Sequence, residues 1–208
     1  LTATTETIGA SGTGTFTQSG GTNIATTLGI GTGASGSGTY TLSGGLLSVT
    51  NAIAASPGTS TLNIDGGTFT LTANSMDVDN FNIGNSSGSN GTFTQTAGTY
   101  KATAFSVGNL ASSSGTYAMS GGVLTAPTEY IGASGKGTFT QSGGTNQAGT
   151  VYIGNASGST GSYSLSGTGV LTATTETIGA SGTGTFTQSG GTNIATTLGI
   201  GTSASGSG

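Results

Sequence analysis

Large apolar residues alternate with threonine and serine in short bursts along this chain, as in Thr15-Phe16-Thr17-Gln18 and Thr39-Tyr40-Thr41-Leu42. A period of two marks a strand with one face in the core. Thr, Tyr, Phe, Val and Ile all suit a pleated surface. No stretch carries an apolar period of 3.6 with caps, so the pattern predicts strands and no helix. The bursts recur at anchors Phe16, Tyr40, Leu62, Phe93, Tyr117, Phe139, Tyr163 and Phe186, spaced by 22 to 24 residues except for one gap of 31 after Leu62. A second anchor, an aliphatic residue before glycine, follows each burst or precedes the next: Ile8, Ile30, Ile83, Val107, Ile131, Ile153, Ile178 and Ile200. Gly/Ser loops separate these anchors from the next burst and supply the backbone freedom that tight corners need.

A unit of this length is one rung of a parallel β-solenoid, in which a rung buries its inner face only by stacking on its neighbours. The expected fold is therefore all-β, a right-handed parallel β-helix with both sets of anchors pointing inward. Residues 1–32 recur as 171–202, and the match runs to the C-terminus with one change, Gly33 against Ser203. The chain thus reads as one continuous solenoid segment over 1–208: a block of seven rungs over 1–170, then the start of a second block over 171–208. It begins at Leu1 without Met, which suggests a processed chain or an internal piece of a tandem array.

Polarity alternates from rung to rung. Phe rungs carry Gln two places on and usually Asn seven places on (Phe16/Gln18/Asn23, Phe139/Gln141/Asn146, Phe186/Gln188/Asn193), whereas Tyr40 and Tyr117 are followed there by Leu42/Leu47 and Met119/Leu124. Two readings follow. Either the amides point inward and a neighbouring Tyr hydroxyl satisfies them, or they sit at corners bonded to turn backbone. The corner is the simpler expectation.

Composition narrows the chemistry. Only 4% of residues are charged, with six acids against two lysines and no His or Cys. There is no Arg either, so a basic stripe for nucleic acid is absent, as are the ligands of a zinc site and the members of a nucleophilic triad. No cofactor is expected. No run of 18 apolar residues exists to span a membrane.

Three places hold candidate chemistry. The long gap between Leu62 and Phe93 contains Asp77, Asp79 and Asn80, a conceivable calcium site, but with no calcium-loop spacing. The plainer expectation is a bulged rung closed by an acidic turn, also a place for lateral contact. Glu129 and Glu176 fall two rungs apart, near the separation of an inverting glycosidase pair. Because Glu6 is Glu176 in the other block, the expectation is a repeating glutamate column at a solvated corner, and no enzyme. Finally, Thr15/Thr17, Thr39/Thr41, Thr92/Thr94, Thr138/Thr140, Ser162/Ser164 and Thr185/Thr187 place paired hydroxyls opposite the aromatic side. In one flat grid they would be similar to the ice-binding face of Thr-rich solenoid antifreeze proteins. Sequons at Asn85, Asn90 and Asn155 follow from composition alone.

The units from Ile8 to Gly21 and from Ile153 to Gly167 resemble bacterial surface repeats of the autotransporter-associated β-strand kind. That resemblance implies export and a stalk or spacer role, and it brings no catalytic residues. The expectation is a non-catalytic extracellular or cell-surface fibre whose partner is more of itself, end to end or in the same chain. The alternatives are an adhesin shaft with its binding head elsewhere, the ice-binding surface, and a carbohydrate bound on a corner column.

Overall fold

A computed structural model describes residues 1–54, 57–71 and 75–208. Among them there is no helix, and every strand pairing is parallel. In chain order the strands are β1 (Thr2–Ile8), β2 (Thr13–Ile30), β3 (Ser37–Ala54), β4 (Thr59–Ile64), β5 (Thr68–Leu71), β6 (Ser75–Ile83), β7 (Asn90–Gln95) and β8 (Thr99–Val107). They continue as β9 (Ser114–Met119), β10 (Val123–Ile131), β11 (Lys136–Gln141), β12 (Thr145–Ile153), β13 (Thr160–Leu165), β14 (Val170–Ile178), β15 (Thr183–Gln188) and β16 (Thr192–Ile200). The chain winds into a β-solenoid of about eight turns, each roughly 23 residues long.

A regular turn has a six-residue strand, a Gly-containing corner, a nine-residue strand and a loop. The long strand itself turns a corner. In β10, Leu124, Ala126, Glu129 and Ile131 are buried, so the inward phase shifts by one residue at Pro127. The ladder to β12 skips Pro127 as well, pairing Ala126 with Ala148 and Thr128 with Thr150. A proline, which has no N–H to donate, is accommodated at such a skip. Each turn therefore sends residues inward from three sides, and these stack into three columns.

Glycine is required at the loop corners by both conformation and space. Gly132 has φ 76°, and a Cβ there would lie 2.3 Å from the Thr160 carbonyl oxygen of the next turn. The loops stack as the strands do: Asn109 N donates to Gly84 O at 2.8 Å, and Asn155 N to Gly132 O at 2.9 Å.

Following the columns shows what the long gap does. The first runs Phe16, Tyr40, Leu62, Phe81, Phe105, Glu129, Val151, Glu176 and Leu198. Leu62 thus stacks under Phe81, not under the next motif anchor, Phe93. Phe93 instead lies 5.1 Å from Phe69. It opens the stretch Phe93, Tyr117, Phe139, Tyr163 and Phe186 of the second column, which begins with Asn23, Leu47 and Phe69. The third contains Glu6, Leu28, Ile53, Met76, Tyr100, Leu124, Asn146, Leu171 and Asn193.

The expected bulged rung is therefore a different object. The strands Thr68–Leu71 and Ser75–Ile83 supply one additional side of the coil, and the motif resumes one column further round. Positions 72–74 of that stretch lie outside the described residues. The seven motif units of a block fill seven and one-third turns. Identical segments consequently occupy different sides: Phe16 is in the first column and its copy Phe186 in the second. The expectation that Glu6 and Glu176 share one column is corrected on the same ground, since they lie in the third and the first.

The anchors stand as follows. Tyr40, Leu62, Phe93, Tyr117, Phe139 and Tyr163 are buried, as are Ile8, Ile30, Ile83, Val107, Ile131, Ile153 and Ile178. Phe16 and Phe186 are half-buried, and Ile200 is 58% exposed. Ile200 departs from the inward expectation because it belongs to the last turn, with a neighbour on one side only.

Candidate functional site

The polar residues that would carry chemistry lie inside the core. Glu129 is 0% exposed, Glu176 is 1% exposed, and Glu6 is buried, so the solvated corner expected for them is overturned. Gln95, Gln141 and Asn146 are buried too. The expectation that the amides merely serve corners is corrected with them. The three sides of a turn are close enough for their inward side chains to meet across it, and the meeting follows a fixed rule.

Asn146 Nδ2 donates to Glu129 Oε2 at 2.9 Å and to Tyr163 Oη at 3.4 Å, while Tyr163 Oη donates to Gln141 Oε1 at 2.5 Å. The same relay joins Glu6, Asn23, Tyr40 and Gln18: Asn23 Nδ2 lies 2.8 Å from Glu6 Oε2 and 3.0 Å from Tyr40 Oη, which donates to Gln18 Oε1 at 2.5 Å. Asn193 Nδ2 reaches Glu176 Oε2 at 3.0 Å. Tyr117 and Gln95 form the Tyr–Gln pair alone. Gln18, Gln95 and Gln141 also donate from Nε2 to the corner of their own turn and to the turn above, as from Gln141 to Gly144 O at 3.1 Å and Val170 O at 3.0 Å. Both sequence readings of glutamine thus contribute: the side chain is inward, Tyr satisfies its oxygen, and corner backbone satisfies its nitrogen.

Burial pushes the Glu129 carboxyl up to about 8, an effect only partly offset by the Asn146 hydrogen bond. Glu176 is raised for the same reason, with Asn193 opposing. Desolvation likewise raises Tyr40, to about 12, and holds Tyr117 and Tyr163 well above the usual phenol range. A glycosidase-like role for Glu129 and Glu176 has no surface to work on, because Val151 fills the space between them in the column and neither reaches solvent.

The calcium candidates disperse. Asp77 pairs with Lys101 at 3.4 Å on the exterior. Asp79 Oδ2 accepts from Ser60 N at 2.8 Å and Ser60 Oγ at 3.0 Å, and Asn80 Nδ2 donates to Thr61 Oγ1 at 3.3 Å. Among the described residues no three His, Cys, Asp or Glu side chains gather as a metal site.

These acids have another task. When the motif moves one column round, the stack of loops on one corner ends and a new one starts on the next. Asp79 sits at the corner directly above Ser60, where the old loop column stops. Asp65 lies under the first loop of the new column: its Oδ1 accepts from Asn85 N at 2.5 Å and Ser86 N at 3.1 Å, and its Oδ2 from Ser86 Oγ at 2.5 Å. Elsewhere a loop below supplies those acceptors. Two carboxylates thus cap the two ends left by the transfer. The sequence does not show this role, because Asp79 lies beside Asp77 and Asn80 as a conceivable ligand and Asp65 stands apart from the loop it caps.

The threonine grid is divided by the same transfer. Thr15/Thr17, Thr39/Thr41 and Thr61/Asn63 are in register, but the next partners are Asn80 and Asn82. Thr92/Thr94, Thr116/Ala118, Thr138/Thr140, Ser162/Ser164 and Thr185/Thr187 form a separate set on another side. The single flat face required by the ice-binding comparison does not exist. An outer feature missed in the sequence is the pair Tyr130 and Tyr152, half-buried on consecutive turns with rings 5.2 Å apart and 9° from parallel.

No helix among the described residues is long and apolar enough to cross a membrane. A scan against protein-family models and searches of curated proteins and of solved structures found no match to this chain. The chain is thus characterised by its architecture: a β-solenoid with a tandem block repeat.

Proposed function

We propose that this chain is a segment of a structural, non-catalytic fibre or surface stalk built from tandem solenoid blocks and working outside the cytoplasm. The observation that carries the proposal is the block junction. β14, which spans the point where the sequence starts again, pairs in register with β12 on one side and β16 on the other. A new block therefore continues the stack without a seam, and the unit is extendable by repetition alone.

The material suits such a role. Backbone bonds between turns and three packed columns supply cohesion, while low charge and the absence of Cys and His leave few reactive groups. The resemblance of the Ile8–Gly21 unit to exported bacterial repeats supports a location at or beyond the cell surface. The transfer adds a geometric property: each block presents its surface a third of a turn from the last, so every third block faces the same way. At about 4.8 Å per turn, one block advances roughly 35 Å and three blocks roughly 105 Å.

Electron micrographs of the native assembly, with the mass of the denatured polypeptide, test this reading. Filaments with those axial spacings, from a polypeptide much heavier than 19.6 kDa, are expected. Short monomeric particles and a mass of 19.6 kDa would count against a tandem array. Surface labelling of intact cells tests the location, and failure to label the protein before lysis would oppose it.

A further inference from the structure

The buried Glu–Asn pairs leave the same two atoms unpaired each time. Glu6, Glu129 and Glu176 each have Oε1 buried with no hydrogen-bond partner, and Asn23, Asn146 and Asn193 each have Oδ1 in the same condition. Every one of these atoms is an acceptor if the carboxyl is ionised, and buried acceptors are normally satisfied. What each pair lacks is one hydrogen. A neutral carboxylic acid provides it, donating from the glutamate while its other oxygen accepts from the asparagine amide.

The surroundings point the same way. Glu129 lies between Phe105 and Val151 in its column, with Asn146 beside it and the hydroxyls of Tyr163 and Tyr117 as the titratable groups across the core. Tyr163 also faces Glu176, which lies between Val151 and Leu198. Glu6 stacks on Leu28 and meets Asn23, with Tyr40 beyond it. Neither Glu129 nor Glu176 faces a cation: the Leu1 ammonium binds Thr22 O in the first turn, on the Glu6 side. The two lysines, Lys101 and Lys136, are exposed, and the sequence has no Arg or His. An ionised carboxylate here would be an uncompensated buried charge, which is far costlier than a buried acid.

We propose that Glu129 and Glu176 are structural carboxylic acids, each binding one proton from solvent as its turn closes, and that the solenoid is consequently a proton-responsive stack that loosens as pH rises. The burial-driven elevation of Glu129 and Glu176 agrees with this. The sign follows from linkage. Glu129 is raised from 4.5 to about 8 in the fold, so between those values the folded chain holds a proton that the unfolded chain has lost. Its contribution to stability is full below pH 4.5, declines across the interval and is gone above about 8. Within the interval, the unfolding equilibrium constant rises about tenfold per pH unit for a group that stays protonated only in the fold.

Glutamine provides the missing N–H permanently and binds no proton. The test compares the intact chain with the double variant E129Q/E176Q by infrared spectroscopy and by unfolding across pH 4 to 9. The expected results are a carboxylic-acid carbonyl band in the folded wild type at pH 6 that falls sharply in the variant, and a pH slope of stability that flattens in the variant. If the variant does not fold, the wild-type band decides alone. Absence of that band at pH 6, or a variant with the wild-type pH slope, overturns the proposal.

Discussion

The substitution Asp65→Ala examines the column transfer at the base of the new loop stack. Asp65 is 7% exposed and accepts three hydrogen bonds from the first loop of the new column, two from backbone N–H groups and one from a hydroxyl. Its removal leaves Asn85 N and Ser86 N without their carboxylate. Leaving a buried donor unsatisfied costs about 1–3 kcal/mol. Because the loop is partly open to water, which replaces some of what is lost, the total should fall near 2–3 kcal/mol. Asp79→Ala, which strips the cap from Ser60, should cost about 1–3 kcal/mol on the same reasoning. Asp77→Ala is the control: its bond to Lys101 is an exterior pair with side chains 63% and 37% exposed, and such pairs contribute about 0–1 kcal/mol. Denaturant unfolding ranks the three, and amide hydrogen exchange at Asn85 and Ser86 should accelerate in Asp65→Ala alone. Equal costs for all three acids, or unchanged exchange at those amides, would refute the capping role.

Two further substitutions probe the core. Phe139→Ala removes a fully buried ring that lies 4.4 Å from Tyr163 and 4.9 Å from Tyr117, and should lower stability by about 3–5 kcal/mol in denaturant unfolding. A loss below about 1 kcal/mol would mean that the aromatic column is not in the core. Tyr163→Phe keeps the ring and deletes the hydroxyl, stranding Gln141 Oε1. The expected cost is about 1–3 kcal/mol, and a neutral or stabilising result in thermal unfolding would contradict the relay.

The strand alternation and the rung length were legible in the sequence because stacking demands them of every turn, and Phe, Tyr and Ile at fixed spacing leave few alternatives. The transfer was not, since the motif by itself pairs Leu62 with Phe93. Counting turns instead would have placed Phe69 and Phe81 as anchors, with Leu62 to Phe81 as one short turn. The misplaced glutamates have a similar origin: Glu6 is Glu176 in the other block, which implies one repeating column, and an isolated Glu is almost never fully buried unless paired, which implies an outward one. Their partners were nevertheless written in the chain. Glu6, Asn23 and Tyr40 are spaced by 17 residues, and so are Glu129, Asn146 and Tyr163. That spacing is about three-quarters of a turn, which carries each residue two columns on and lets the three meet across the core. The acids of the long gap were hard to interpret because Asp65 is separated from its loop by 20 residues, a relation that appears only once the coil is wound.

Experimental density for this chain, solved far enough to place side chains, tests the central claim most directly through the operation that superposes residues 1–38 on 171–208. A displacement of seven turns plus a rotation of one column, with Phe186 next to Tyr163 and Glu176 between Val151 and Leu198, is the expected result. A pure translation along the axis, setting Glu6 and Glu176 in a single column, would contradict it.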